Sequence, residues 1–303
     1  MPGLARRWWR NATGGLPRPF WLLWAGTLVN RLGYFVAPFL TLYLVRERGL
    51  EPTAAGTVVA GFGLGSLFSQ PLGGWLSDRV GRRPTLTGGM ATTAAAYLAL
   101  GAARPLPAVA ACAFAAGLAT DAYRPAVAAM VADLVDPAER QRAYGLLYWA
   151  VNLGVGVATV AGGALAERSF GLLFVGDAAT CLAFAVVAAR ALPETRPAVT
   201  AGEQVGFRAA LRDPLLVALS ASTLAEAVVY LQSLVTLPLA MRADGLDARA
   251  YGLAAAVNPV VIVLAQPLLR LLRNRPALQV YAASGVLTGL GFGLTALAST
   301  LAG

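Results

Sequence analysis

Five ionisable residues stand where water is scarce. Arg31, Asp121, Arg124, Asp177 and Glu226 each interrupt a long apolar stretch. A charge inside such a stretch is costly unless it is paired or wetted, so each is a functional candidate by default. The chemistry on offer is narrow. A carboxylate there can take up and release a proton, and a guanidinium can hold a carboxylate in a bidentate fork. The chain has no histidine, so proton traffic falls to the carboxylates. Cys112 and Cys181 both lie in apolar stretches and read as packing residues, not a disulfide or a metal site. There is no G-x4-G-K phosphate loop, no metal-ligand cluster, and no histidine for a serine or cysteine triad. The sequence therefore reads as no enzyme, with no cofactor, no metal, and no ATP drive of its own.

The elements that carry these residues are apolar and long. The chain of 303 residues is 57% hydrophobic and 13% charged, too apolar for a soluble globule. Nine apolar spans are legible: 20–45, 53–76, 85–103, 107–130, 143–166, 170–192, 214–241, 250–272 and 277–301. A bilayer core takes about 20 apolar residues as helix, so the fold class is an all-α, polytopic membrane bundle. The net charge of +9 would suit nucleic acid, but the arginines punctuate the spans and form no single patch. With the N-terminus inside, sixteen loop arginines fall on the cytoplasmic side and six outside, which fixes the orientation by the positive-inside rule. Arg6, Arg7, Trp8, Trp9 and Arg10 read as an interfacial anchor. Residues 193–213, rich in Pro, Gly and charge, read as a cytoplasmic linker between residues 1–192 and residues 214–303.

Depth sorts the charges. At about 1.5 Å per residue, Arg31 lies roughly 16 Å from the cytoplasmic end of its span, and Asp121 roughly 14 Å. The two therefore lie at similar depth. Glu226 lies near mid-depth in the seventh span with no basic partner in its own half, which suits proton coupling or cation binding. Asp177, about 10 Å from the outer end, reads as structural. Tyr34, Phe35, Tyr123, Tyr148, Trp149 and Tyr230 offer aromatic faces for a lipophilic cation, and Tyr and Trp also serve as interface anchors.

Between the second and third spans runs Gly74-Trp75-Leu76-Ser77-Asp78-Arg79-Val80-Gly81-Arg82-Arg83, read as a compact charged turn. Gly74 allows close helix approach, Asp78 sits at a helix end, Gly81 permits the reversal, and Arg79, Arg82 and Arg83 hold the turn to the cytoplasm. The pattern G-x-x-x-D-R-x-G-R-R resembles the loop 2–3 signature of the major facilitator superfamily. Gly145, Gly154, Ala158, Thr159, Gly162 and Gly163 resemble that superfamily's fifth-helix exporter signature, with Ala158 in place of a glycine and Thr159 in place of a proline. Tyr148-Trp149-Ala150-Val151-Asn152 and Leu192-Pro193-Glu194-Thr195-Arg196 resemble its drug:proton antiporter branch.

The resemblance implies several expectations. Spans one, four and seven would line a central cavity, so Arg31 and Asp121, at similar depth, are expected to pair there, with Arg124 as a third member; Tyr34, Tyr123, Tyr148, Trp149, Asn152, Glu226 and Tyr230 are the other candidates near it. The fifth-span glycines would let that helix bend or close on the other half. Full members have twelve spans, so a C-terminal truncation with three helices missing is expected. Residues 270–276 would be a degenerate echo of the Asp78 turn. The implied function is secondary active transport: proton-coupled efflux of small lipophilic or cationic compounds by alternating access. The alternatives are a sugar or metabolite transporter of the same superfamily, or a truncated membrane remnant that transports nothing. The implied partners are a small-molecule substrate, protons and the lipid bilayer, with no nucleic acid. A monomer in the cell membrane, N-terminus cytoplasmic, completes the expectation.

Overall fold

The computed structural model describes residues 14–196, 212–231, 236–265 and 275–301. In lipid every backbone polar group needs an internal partner, so spans of this composition must be helical. The first span is α1 (Arg18–Leu32), α2 (Val36–Leu42) and a terminal π-turn over Tyr43–Glu47. The second is α3 (Pro52–Arg79) and the third α4 (Arg82–Ala102). The fourth is split into α5 (Leu106–Thr120) and α6 (Arg124–Leu134). The fifth is α7 (Arg140–Ala166) and the sixth α8 (Gly171–Ala191). The seventh comprises α9 (Pro214–Leu231) and α10 (Thr236–Ala243), the eighth α11 (Ala248–Ala265), and the ninth α12 (Ala277–Leu301). Five of these segments, Arg18–Glu47, Leu106–Leu134, Pro137–Ala166, Gly171–Ala191 and Ala248–Ala265, are long and apolar enough to cross a membrane.

The chain divides into two compact units, Met1–Gly202 with Gln232–Val263, and Glu203–Leu231 with Leu264–Gly303. Thus α10 and nearly all of α11 pack with the first six spans, whereas the sequence groups them with residues 214–303. The expected anchor at 6–10, most of the linker at 193–213, and the echo at 270–274 lie outside the described residues.

Two departures from the sequence reading position the site. The expected charged turn is mostly helix. Helix α3 continues through Asp78 to Arg79, α4 begins at Arg82, and only Val80 and Gly81 connect them. Gly81 takes φ of 122°, a value side chains resist. The second departure is that two spans are broken at depth. Helix α1 stops at Gly33, and α5 gives way at Asp121 to a turn that Arg124 and Pro125 restart as α6. Irregular backbone is tolerated at membrane depth where it is buried in protein or lines a cavity.

Two apolar clusters sandwich those breaks. One gathers Phe35, Phe39, Tyr43, Tyr97, Phe174 and Tyr251. The other gathers Phe20, Leu23, Met90, Met130, Cys181 and Phe184. Along the first span and α8 the sequence passes from one cluster to the other through Asn30 and Arg31, and through Asp177. The second and fourth spans meet backbone to backbone, since a Cβ on Gly65 or Gly117 would overlap the carbonyl of Phe114 or Phe62. That close approach is how small residues glue helices in lipid, where no hydrophobic force separates protein from solvent.

Candidate functional site

The broken spans deliver three charges to one place. Arg31, 3% exposed, sits in the last turn of α1 and has its Nη2 3.6 Å from Asp121 Oδ1. Arg124 Nε reaches the same oxygen at 2.7 Å. One carboxylate oxygen therefore serves two guanidiniums. Arg31 also donates to the Tyr123 hydroxyl, which in turn donates to Asn30 Oδ1 at 3.3 Å. Its guanidinium lies 5.1 Å from the Tyr34 ring centre and 5.7 Å from that of Tyr123. Asp121 is fixed from behind, because its backbone N–H donates to Ser69 Oγ at 3.1 Å. The adjacent Thr120 hydroxyl bonds Tyr97 Oη at 2.7 Å.

Asp177 sits one layer away and is 2% exposed. Its Oδ2 accepts the N–H of Phe35 at 3.2 Å and of Val36 at 3.1 Å where the first span breaks, and Phe35 shares its N–H with the Gly33 carbonyl at 2.7 Å. Asn30 Nδ2 donates to Cys181 Sγ at 3.2 Å, and Cys181 lies 3.7 Å from Asp177 Oδ1. A continuous polar chain thus runs from Arg124 through Asp121, Arg31, Tyr123, Asn30 and Cys181 to Asp177. Buried polar groups must be paired in this way or they destabilise the fold.

The other sequence candidates divide. Gly154 lies against Arg31, whose Cβ would be 2.5 Å from an added methyl, and Gly162 against Phe39 and Phe35. These two fifth-span glycines pack on the first span of the same unit, not on the other half as expected. Gly163 faces α11, where an added Cβ would stand 2.7 Å from the Ala248 carbonyl oxygen. Gly145 is half-buried near the start of α7. Trp149 is stacked on Trp24 at 6.4 Å, and Asn152 is turned back to the Tyr148 carbonyl at 2.8 Å. Tyr148 is 53% exposed. Glu226, half-buried, and Tyr230, exposed, both lie on α9 in the second unit. Glu226 makes no ion pair among the described residues.

At the Asp78 turn, Arg82 Nη1 is 3.1 Å from Asp78 Oδ1 and donates to the Ser77 carbonyl at 2.9 Å. Its Nε lies 3.4 Å from Asp133 Oδ2. Arg79 stacks over Trp75 at 5.0 Å, and Arg83 donates to the Ala189 carbonyl. Gly74 is in ordinary contact with Pro125, 3.9 Å from an added Cβ. The residue that sequence reasoning left out is Glu194. It accepts the backbone N–H groups of Arg82 at 2.9 Å, Arg83 at 3.1 Å, Thr195 at 3.0 Å and Arg196 at 2.8 Å. Partial burial works against its charge, but these donors outweigh it and hold the carboxyl below the usual glutamate range. The signal was in plain view in Leu-Pro-Glu-Thr-Arg, read there as a branch marker only. Asn30, Ser69 and Tyr97 were also missed, although polar groups in apolar spans are themselves a signal.

Long apolar helices, two of them broken where charged groups meet, define a multi-pass membrane protein with a buried ion cluster in its first unit. The profile of the Major Facilitator Superfamily matches residues 23–303. The chain belongs to that superfamily. It is 27% identical over 260 residues to the uncharacterized MFS-type transporter YttB of Bacillus subtilis, covering 84% of this chain and 65% of that protein. It is 34% identical over 155 residues to the multidrug resistance protein MdtH of Aeromonas salmonicida, covering 50% of this chain and 38% of that protein. The chain therefore spans less than two thirds of the length of these curated relatives. A crystal structure of the peptide transporter POT in complex with sulfate superposes with a TM-score of 0.69 at 20% identity, covering 87% of this chain and 70% of that one.

Proposed function

We propose that the chain is the greater part of a secondary active transporter that exports a small lipophilic organic compound in exchange for protons. The observation that carries the reading is the Arg31–Asp121–Arg124 cluster at the two helix breaks. Paired charges at membrane depth mark substrate or ion pathways, and binding sites of such transporters lie near the midplane at discontinuous helices. The similarity to a protein named for multidrug resistance supports export of an organic compound. Asp121 and Glu226 are the carboxylates proposed to carry protons. Asp78, its arginines and Glu194 are proposed to fasten the cytoplasmic ends of spans two, three and six, and to govern closure there. The cell membrane is the proposed site, with the N-terminus cytoplasmic.

The test is pH-driven counterflow of labelled lipophilic compounds in proteoliposomes of the full-length protein. Arg31→Asp and Asp121→Arg are each expected to abolish transport, and the double swap to restore part of it. A double variant as dead as either single, yet folded, would remove the pairing from the mechanism. Glu226→Gln is expected to uncouple transport from the pH gradient; unchanged pH-driven transport would dismiss Glu226.

A further inference from the structure

The charges in the cluster do not balance, and the imbalance has a direction. Asp121 gives one oxygen to two guanidiniums, Arg31 at 3.6 Å and Arg124 at 2.7 Å. Arg124 uses only Nε for that contact. Its two terminal nitrogens have no hydrogen-bond or ion-pair partner among the described residues, and its side chain is 45% exposed. Arg31, buried behind it, has an Nε with no partner. The terminal edge of a guanidinium is a planar two-donor fork that matches a carboxylate.

The groups that could hold a cation already face one or are committed elsewhere. The rings of Tyr34 and Tyr123 face the Arg31 guanidinium. Both arginines use Asp121 Oδ1, so a third cation arriving at the other oxygen would meet two guanidiniums of like charge within a few ångströms. Asp177, the remaining carboxylate in the interior of this unit, has its Oδ2 committed to two backbone N–H groups and its Oδ1 beside Cys181. Among the described residues of this unit's interior, the open valence is for an anion.

We propose that this cluster binds the carboxylate of the transported compound, with the Arg124 fork as the contact and Arg31 as the second cation behind it. The proposal rests on the transport reading and names its substrate class: a lipophilic organic acid, narrower than the lipophilic or cationic compounds expected from the sequence. Asp121 holds Arg124 through Nε while the fork is occupied, so the arriving carboxylate meets a guanidinium already oriented.

The experiment uses three probes of one shape: 2-naphthaleneacetate, its neutral amide, and 2-naphthylethylammonium. Equilibrium binding to the purified full-length protein is measured for each, and counterflow in vesicles is measured for whichever binds most tightly. The acid is expected to bind at least tenfold more tightly than the amide or the ammonium. Arg124→Gln is expected to bring the acid to the level of the amide, and Arg124→Lys to recover part of the preference as a point charge. Both variants are checked by thermal unfolding, and the amide affinity serves as an internal control for an intact pocket. Tighter binding of the ammonium, equal binding of acid and amide, no binding of any probe, or an acid preference untouched in Arg124→Gln would each overturn the assignment. Tight acid binding without counterflow would leave the anion site standing and sink the transport reading. Ammonium binding with counterflow would do the reverse.

Discussion

Asp177 shows how much a single buried side chain can organise. The break after Gly33 leaves the Val36 N–H to one Asp177 oxygen, which also takes a share of the Phe35 N–H, bonded in addition to the Gly33 carbonyl at 2.7 Å. Each buried donor left unsatisfied costs about 1–3 kcal/mol. Asp177→Ala should therefore lower the thermal unfolding temperature substantially, and it should also disturb Arg31, two residues before the break. Asp177→Asn keeps an acceptor oxygen in the same place and should cost much less. Unfolding of the purified protein in detergent, followed by tryptophan fluorescence, checks the order. Equal losses in the two variants would mean the charge matters and the acceptor geometry does not. From sequence, Asp177 reads as structural because it lies near the outer end of its span. What could not be read is its partner, since backbone N–H groups become donors only once a helix breaks.

At the scale of elements, the sequence carried the helices and their order almost throughout, because span length and loop charge are set by the bilayer itself. It also matched Arg31 with Asp121, from their similar depth and from the resemblance that puts spans one and four at one cavity. It did not carry the breaks. Gly33 and Asp121 look like ordinary interruptions in apolar runs, and only packing decides whether a helix bends or stops. The Asp78 turn was likewise legible as a motif but not as an assembly, because its main acceptor comes from the end of the sixth span. There the Glu194 carboxylate is favoured in its ionised form by four backbone donors. A carboxyl lowered in the folded state contributes stability that is present above its unfolded value and is lost as pH falls through its folded value. Glu194→Gln should therefore be less stable than the parent near neutral pH, and the gap should close in acid, below the ordinary glutamate range. Unfolding curves of both proteins across pH 3 to 8 test this. A gap that persists unchanged in acid would show that shape, not charge, makes the Glu194 contribution.

For the first unit as a whole, the end opposite the Asp78 turn is where α11 is tied to the first six spans. Glu167, just past α7, accepts the Ala248 N–H at 3.0 Å, and both of its oxygens meet Arg46, with Oε2 3.0 Å from Nη2. The Arg46 hydrogen bond, helped by that N–H, holds the Glu167 carboxyl low. Beside it the backbones of α7 and α11 touch. A Cβ on Gly163 would stand 2.7 Å from the Ala248 oxygen, and one on Gly252 would overlap the Thr159 carbonyl. Magnitude decides which tie matters more. An exposed ion pair contributes about 0–1 kcal/mol, whereas a side chain forced between two backbones must move a helix. Gly252→Leu should therefore displace α11 from α7, and Glu167→Gln should barely do so. Spin labels at Arg168 and Asp244, both exposed, with Cys112→Ala and Cys181→Ala in the background, report the separation by pulsed electron resonance. A longer or broader distance distribution in Gly252→Leu, with Glu167→Gln close to the parent, is the expected outcome. The opposite order would mean that this end is held by charge, and that ionic strength, not helix packing, governs when it opens.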